Sequence, residues 1–249
     1  MGLIFTFHLQ GRTEPLSIFG PQGLDEIITV QLRHSESVLN YVIHFHVLSK
    51  GGEVIFENED IWVKTVLMNH RIPCFGFIFE EKLRKFKLLR EKLPSTLSRE
   101  NLAELKEGQD IVDNEGNFIP NADLAVPPAI PRKYAYLADT RYLEHDLPEV
   151  FGANLLYHEA TFLSDMKSRA ESTFHSTAAE AALFAARHQV KTLLIGHYSS
   201  RYFDLQPFLA EARPHFSETV LAVEGQLYDI KHNQLLESSE NHAPSRANR

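Results

Sequence analysis

The chain has 249 residues, 43% hydrophobic and 23% charged, proportions that exclude a wholly disordered, collagen-like or membrane-bundle protein. A net charge of −8 with a pI near 5.9 argues against sequence-blind nucleic-acid binding by the whole surface and leaves that role to a local basic patch. The single cysteine, Cys74, excludes an internal disulfide framework and fits a reducing cytoplasm.

No run of about 18 apolar residues reads as a transmembrane helix. The apolar Met1–Leu9 lacks the basic leader and cleavage site of a signal peptide. Gly2–Gln10 has helical spacing and stops at Gly11. Leu16–Phe19 reads as a strand, Gly20–Gly23 as a turn and Leu24–Arg33 as a helix. Tyr41–Leu48, Glu53–Glu57, Trp62–Met68 and Cys74–Phe79 read as strands. Leu83–Leu93 and Arg99–Leu105 are expected as short helices around Pro94, and Asp113–Gly116 signals a hairpin turn. Further on, apolar strands Tyr134–Leu137, Leu155–Tyr157, Leu193–Ile195 and Val220–Val223 alternate with expected helices at Pro148–Phe151, Leu163–Glu171, Thr177–His188 and Leu205–Ala212. This alternation predicts an α/β layer architecture, one domain carrying an inserted arm. Residues 233–249 read as a polar, disordered tail.

The 13 histidines are about twice a chance expectation, so their positions matter. Four buried-type strands each end on an imidazole or carboxylate: at His70, Asp139, His158-Glu159 and His197. In α/β sheets the ligand crevice lies outside the carboxyl ends of the strands. Histidine and carboxylate suit a borderline divalent cation such as zinc. His175 stands just before Ser176-Thr177, a cap for the alanine-rich helix that follows, and so beside a helix N-terminus. His44 and His46 share one face of a half-exposed strand and read as surface residues. His8, His34, His145, His188, His215, His232 and His242 read as surface or packing residues, and Cys74 as core.

These stretches, taken in order, resemble ribonuclease Z, the tRNA 3′-processing endonuclease of the metallo-β-lactamase fold. The matching segments are Gly2–Gly20, Asn69–Phe79 (NHRIPCFGFIF), Ala138–Tyr142 (ADTRY), His158–Phe162 (HEATF), His175–Ala182 (HSTAAEAA) and Gly196–Tyr202 (GHYSSRY). The resemblance implies an αββα sandwich over residues 1–232, N-terminally incomplete, with two zinc ions in the complete site. It assigns His70, Asp139 and His197 as zinc ligands and His175, tuned by Glu159, as the catalytic pair at the scissile phosphate. Arg201 and Tyr202 would shape the wall near His197. The family's first metal motif, H-x-H-x-D-H, is not in the sequence, which is expected to begin just downstream of it. With those four ligands missing, the chain by itself is expected to be inactive or weakly active.

Residues 80–128 would form the family's tRNA-binding arm. Glu80–Leu93 carries six basic residues, Lys82, Arg84, Lys85, Lys87, Arg90 and Lys92, against three acidic ones, reversing the sign of the whole chain. An arm that binds RNA makes salt-dependent phosphate contacts, whereas an amphipathic helix with a solvated face makes none. The implied reaction is attack of a metal-bound hydroxide on the phosphodiester after the discriminator nucleotide, leaving a tRNA 3′-hydroxyl. The implied setting is a cytoplasmic homodimer acting on tRNA precursors, with no membrane. Two alternatives stay open at this point: a non-catalytic tRNA-binding or dimerisation subunit, and another metallo-β-lactamase-fold phosphodiesterase.

Overall fold

A computed structural model of the protein describes residues 1–230, 232 and 234–236. The chain starts with α1 (Gly2–Leu9), β1 (Leu16–Gly20), α2 (Leu24–His34) and β2 (Ile43–Val47). Strands β1 and β2 pair in parallel, Leu16 opposite Ile43. Ile4, Ile28 and Tyr41 form a small core beneath them, and the Tyr41 hydroxyl donates to the Ile4 carbonyl at 2.8 Å. His44 and His46 lie on the exposed face of β2, where the His46 ring stacks on Phe19 at 4.4 Å.

The centre is a seven-stranded sheet. Its members are β3 (Val54–Glu57), β4 (Ile61–Leu67) and β5 (Phe75–Glu81), then, after the arm, strands Lys133–Leu137, Leu155–Glu159, Leu193–Gly196 and Thr219–Leu221. The last four run side by side in parallel. Parallel strands buried on both faces need near-continuous apolar sequence, which Leu155-Leu156-Tyr157 and Leu193-Leu194-Ile195 supply. One face packs Val66, Ile78, Leu137, Leu156 and Ile195 against the alanine-rich helix Ala178–Arg187, where Phe184 is fully buried.

The chain divides into two compact units, the second made of 57–62 and 80–132 and the first of the remainder. Within the second unit lie β6 (Lys87–Leu88), α3 (Arg99–Lys106), β7 (Ile111–Val112), β8 (Phe118–Ile119), α4 (Asn121–Leu124) and β9 (Ala125–Val126). Leu105, Ile111 and Leu124 form its own core. In chain order the remaining elements are β10 (Lys133–Leu137), β11 (Leu155–Glu159), α5 (Lys167–Thr173), α6 (Ala178–Arg187), β12 (Leu193–Gly196), α7 (Gln206–Ala212), β13 (Thr219–Leu221), β14 (Leu227–Asp229) and β15 (Gln234–Leu236).

Three expectations change. Leu83–Leu93 is not a helix: its apolar residues recur at helical spacing, but Lys87-Leu88 pairs antiparallel with Ala125-Val126 and a single 3₁₀ turn follows at Arg90–Lys92. Pro148–Phe151 forms hydrogen-bonded turns instead of a helix, with Val150 N–H donating to the Leu147 carbonyl. Within the expected tail, β15 pairs with β14, so that stretch is ordered; residues 233 and 237–249 lie outside the described residues. Among the described residues no helix is long and apolar enough to cross a membrane.

Candidate metal centre

Four strand ends and one helix approach converge in the first unit. His70 follows β4, Asp139 follows β10, Glu159 closes β11, His197 follows β12 and His175 precedes α6. Successive residues of a strand face opposite sides of its sheet. Glu159 therefore turns to the site while its neighbour His158 turns into the core beside Phe184, ring centroids 5.2 Å apart. Of the strand-end pair, Glu159 is thus the residue at the site, as expected, and His158 packs in the core.

Asp139 and His197 both sit in the left-handed backbone region, at φ 55° and 62°, as does Phe174 at φ 62°. For residues other than glycine that conformation costs on the order of 1–3 kcal/mol each, and it persists where the surroundings over-determine it. Those surroundings are hydrogen bonds. Asn69 N–H donates to Thr140 Oγ1 at 3.1 Å and Arg141 N–H to the Asn69 carbonyl at 2.9 Å, joining the His70 and Asp139 loops. Ser176 Oγ donates to the Thr140 carbonyl at 2.8 Å, joining the His175 loop to the same segment. Gly196 is required before His197, because a Cβ there would fall 2.5 Å from the Tyr157 hydroxyl oxygen.

Glu159 is the hub. It is fully buried and accepts at Oε1 from Thr140 N–H (2.8 Å) and His175 Nδ1 (2.7 Å). At Oε2 it accepts from the Thr161 hydroxyl (2.6 Å), Ser176 N–H (3.2 Å) and Thr161 N–H (3.3 Å). Burial pushes its carboxyl upward, but the hydrogen bonds from His175 and Thr161 outweigh it and hold the group below its ordinary value. The same bond to Glu159 raises His175 above the ordinary imidazole value, against the effect of burial.

Donor atoms of Asp139, Glu159, His175 and His197 all lie within 4.8 Å of one another. Proximity does not make all four ligands. Both Glu159 oxygens are saturated by donors, and His175 spends Nδ1–H on Glu159. Asp139 Oδ1, in contrast, is buried with no hydrogen-bond partner among the described residues, and His197 Nε2 stands 3.1 Å from it. A covered carboxylate oxygen without a donor is costly unless a cation occupies that position. An imidazole nitrogen beside a carboxylate oxygen is a zinc-type donor pair, so these residues fit a metal ion. His70 stands beside His175, ring centroids 5.5 Å apart, and outside the four-residue cluster. Its Nδ1 lies 3.1 Å from the Phe174 carbonyl, which it can reach only as a donor, leaving Nε2 bare.

Arg201 is exposed, with its guanidinium 5.2 Å from the Phe162 ring centroid. Phe162 in turn lies 6.3 Å from the His175 ring, so Arg201 is at the margin of the cluster. The Tyr202 hydroxyl accepts from Leu163 N–H at 3.2 Å while its ring packs on Phe208, a structural setting. Cys74 packs against the core, its thiol pushed up by burial. In the second unit Lys82 pairs with Glu57, Arg84 with Asp60 and Lys85 with Glu107. Lys87, Arg90 and Lys92 are exposed, and no described acidic residue pairs with them.

Spacing alone did not single out Thr140, Arg141, Thr161 and Ser176. Arg141 donates to the Glu171 carbonyl at 2.5 Å and lies 4.3 Å from the Phe174 ring centroid, so it ties the Asp139 loop to the segment before His175. The only sequence signal for these four was that each falls inside a short motif around a ligand-type residue.

No protein-family model matches the chain. It is 43% identical over 232 residues to the ribonuclease Z of Cytophaga hutchinsonii, an alignment spanning 92% of this chain and 74% of that protein. Among solved structures, the short form of human tRNase Z superposes with a TM-score of 0.56 over 95% of this chain and 72% of that one, at 23% identity. The metallo-β-lactamase fold protein YhfI from Bacillus subtilis gives a TM-score of 0.55 over 89% of this chain and 67% of that one, at 16% identity. The mixed α/β fold is that of the metallo-β-lactamase class.

Proposed function

The chain belongs to the ribonuclease Z family of endoribonucleases, and from that premise we propose that it acts on the 3′ end of tRNA precursors. The bond cleaved is the phosphodiester after the discriminator nucleotide. A water oxygen bonds to phosphorus, the P–O3′ bond breaks, the tRNA keeps a 3′-hydroxyl and the trailer keeps the phosphate. The observation that carries this reading is the buried Asp139 Oδ1, which has no hydrogen-bond partner among the described residues and faces His197 Nε2 at 3.1 Å.

Asp139 and His197 would hold a zinc ion, and His70, which lies outside that cluster, would be a donor at the second zinc position that the resemblance implies. Bound there, zinc supplies Lewis-acid polarisation of the phosphate and a water of lowered pKa. The protein's own residues do the rest. Glu159 fixes the His175 ring by taking Nδ1–H. In its protonated form, which that contact favours, His175 carries a second proton at Nε2 for the leaving 3′-oxygen. Lys87, Arg90 and Lys92, which have no acidic partner among the described residues, supply phosphate contacts in the second unit. Two zinc ions, as the resemblance implies, take about eight donors in tetrahedral sites. His70, Asp139 and His197 are three, so cleavage by this chain alone is expected to be weak. A cytoplasmic setting is supported by the free Cys74. A homodimer completes the reading, checked by sedimentation equilibrium.

The test is single-turnover cleavage of a 3′-extended tRNA precursor with enzyme in excess and zinc supplied. Slow, zinc-dependent cleavage after the discriminator, lost in Asp139→Asn, is expected. A cyclic-phosphate product, cleavage indifferent to Asp139→Asn, or no cleavage in enzyme excess would refute the reading.

A further inference from the structure

We propose that Thr161 is a positioning residue that fixes the tautomer of His197, so that one buried carboxylate, Glu159, orients both imidazoles of the site. The proposal rests on the reading of Asp139 and His197 as metal donors and deepens it.

A proton inventory carries the inference. Thr161 Oγ1 lies 2.6 Å from Glu159 Oε2 and 2.9 Å from His197 Nδ1. A hydroxyl has one proton. Glu159 takes backbone N–H groups at both oxygens, from Thr140 at Oε1 and from Ser176 and Thr161 at Oε2, so the carboxylate acts here as an acceptor only. At 2.6 Å the Thr161 proton must therefore point to Glu159. Toward His197 the hydroxyl has only lone pairs left, so Nδ1 must be the donor. A neutral imidazole with its proton on Nδ1 is bare at Nε2, the nitrogen 3.1 Å from Asp139 Oδ1. The relay runs from His197 Nδ1–H to the Thr161 hydroxyl and from there to Glu159. On its other oxygen Glu159 takes Nδ1–H of His175.

Two further facts make the relay rigid. Thr161 is 6% exposed and Glu159 fully buried, so water does not compete for these bonds. Thr161 is also held by its backbone: its carbonyl accepts from Ser199 N–H at 3.1 Å, two residues beyond His197. The His197 loop is thus stitched to Thr161 at both side chain and main chain. Without the hydroxyl, nothing among the described residues would hold the proton on Nδ1. The ring would then revert to the tautomer that neutral imidazoles favour in water, with the proton on Nε2 facing Asp139.

The test compares Thr161→Val, which keeps the shape and removes the hydroxyl, with Thr161→Ser, which restores it. Nitrogen-15 NMR of metal-free protein at alkaline pH, where the imidazoles are neutral, reads the tautomer directly. Wild type and Thr161→Ser should carry the His197 proton on Nδ1; Thr161→Val should shift it largely to Nε2 while the His175 signals stay in place. Zinc affinity, measured by competition with a chelating dye, should fall about 10–100-fold in Thr161→Val, as for other groups that orient a ligand imidazole, and recover in Thr161→Ser. A wild-type His197 with its proton on Nε2 overturns the proposal whether or not the variants fold. So does a Thr161→Val protein that keeps the Nδ1 proton or the wild-type zinc affinity. If the tautomer responds as expected while the wild-type chain cleaves no tRNA precursor, the functional reading fails and the role of Thr161 stands.

Discussion

His188 shows how a histidine can be structural in a protein whose site is built of histidines. It is fully buried, accepts Leu147 N–H at Nε2 and donates from Nδ1 to the Phe184 carbonyl, both at 2.9 Å. Its ring stacks on Phe184 at 3.9 Å. Burial holds its pKa below the ordinary value, against the pull of the Phe184 carbonyl. The unfolded chain therefore binds a proton, below about pH 6.5, that the folded chain refuses. This share of stability is fully present above that pH and is lost as pH falls toward the folded pKa. His158 is shifted the same way by burial, and His175 the opposite way, so the wild-type slope is a sum. His188→Gln should flatten the acid limb of a melting-temperature profile and cost about 1–3 kcal/mol at neutral pH, the range for leaving a buried donor unsatisfied. An unchanged acid limb would show that another group dominates it.

At the scale of the element, α6 joins the site to the segment that follows Asp139. Its start is fixed by a capping box, Thr177 accepting from Glu180 N–H and the Glu180 carboxylate accepting from Thr177 N–H. Two residues before that cap stands His175. At the other end the Arg187 guanidinium donates to the carbonyls of Leu143, Glu144 and His145 at 2.5, 2.9 and 3.1 Å. Thr177→Ala should cost about 0.5–2 kcal/mol in denaturant unfolding. The cap and the alanine-rich run made this helix legible in the sequence, since both signals are local. Leu83–Leu93 was misread because its partner strand, Ala125-Val126, is remote in sequence and the apolar spacing mimics a helix turn. The basic residues of Glu80–Leu93 divide into Lys82, Arg84 and Lys85, each in an ion pair, and Lys87, Arg90 and Lys92, with no acidic partner among the described residues. Replacing the latter three by alanine should weaken tRNA retention and flatten the plot of log affinity against log salt by roughly 0.7–0.9 per lost contact. The Lys82, Arg84 and Lys85 triple variant should do less, and equal effects from the two sets would remove the distinction.

For the whole molecule, the α/β class and the strand ends that meet at the site were readable because buried strands announce themselves as short apolar runs, and the residues at or just after their ends include His70, Asp139, Glu159 and His197. What the sequence hid is the wiring between those ends. Nothing in the spacing of Thr140, Thr161 or Ser176 says which carboxylate or imidazole each will meet, because those partners come together only through the crossover connections. The second unit was hidden in part as well: residues 57–62 belong with 80–132 through ion pairs such as Lys82 with Glu57. Replacing residues 80–132 by a short linker should abolish tRNA retention while leaving zinc binding within the wild-type range; loss of both would mean that the metal centre depends on the second unit. The most direct measurement is zinc content by mass spectrometry of the purified chain after dialysis against trace zinc, wild type beside Asp139→Asn. Wild type should hold at most about one ion per chain, since Asp139 and His197 form one donor pair while His70 lies outside their cluster, and Asp139→Asn should lose it. Two ions in the wild type, or equal zinc in the two proteins, would contradict a metal centre built on Asp139 and His197.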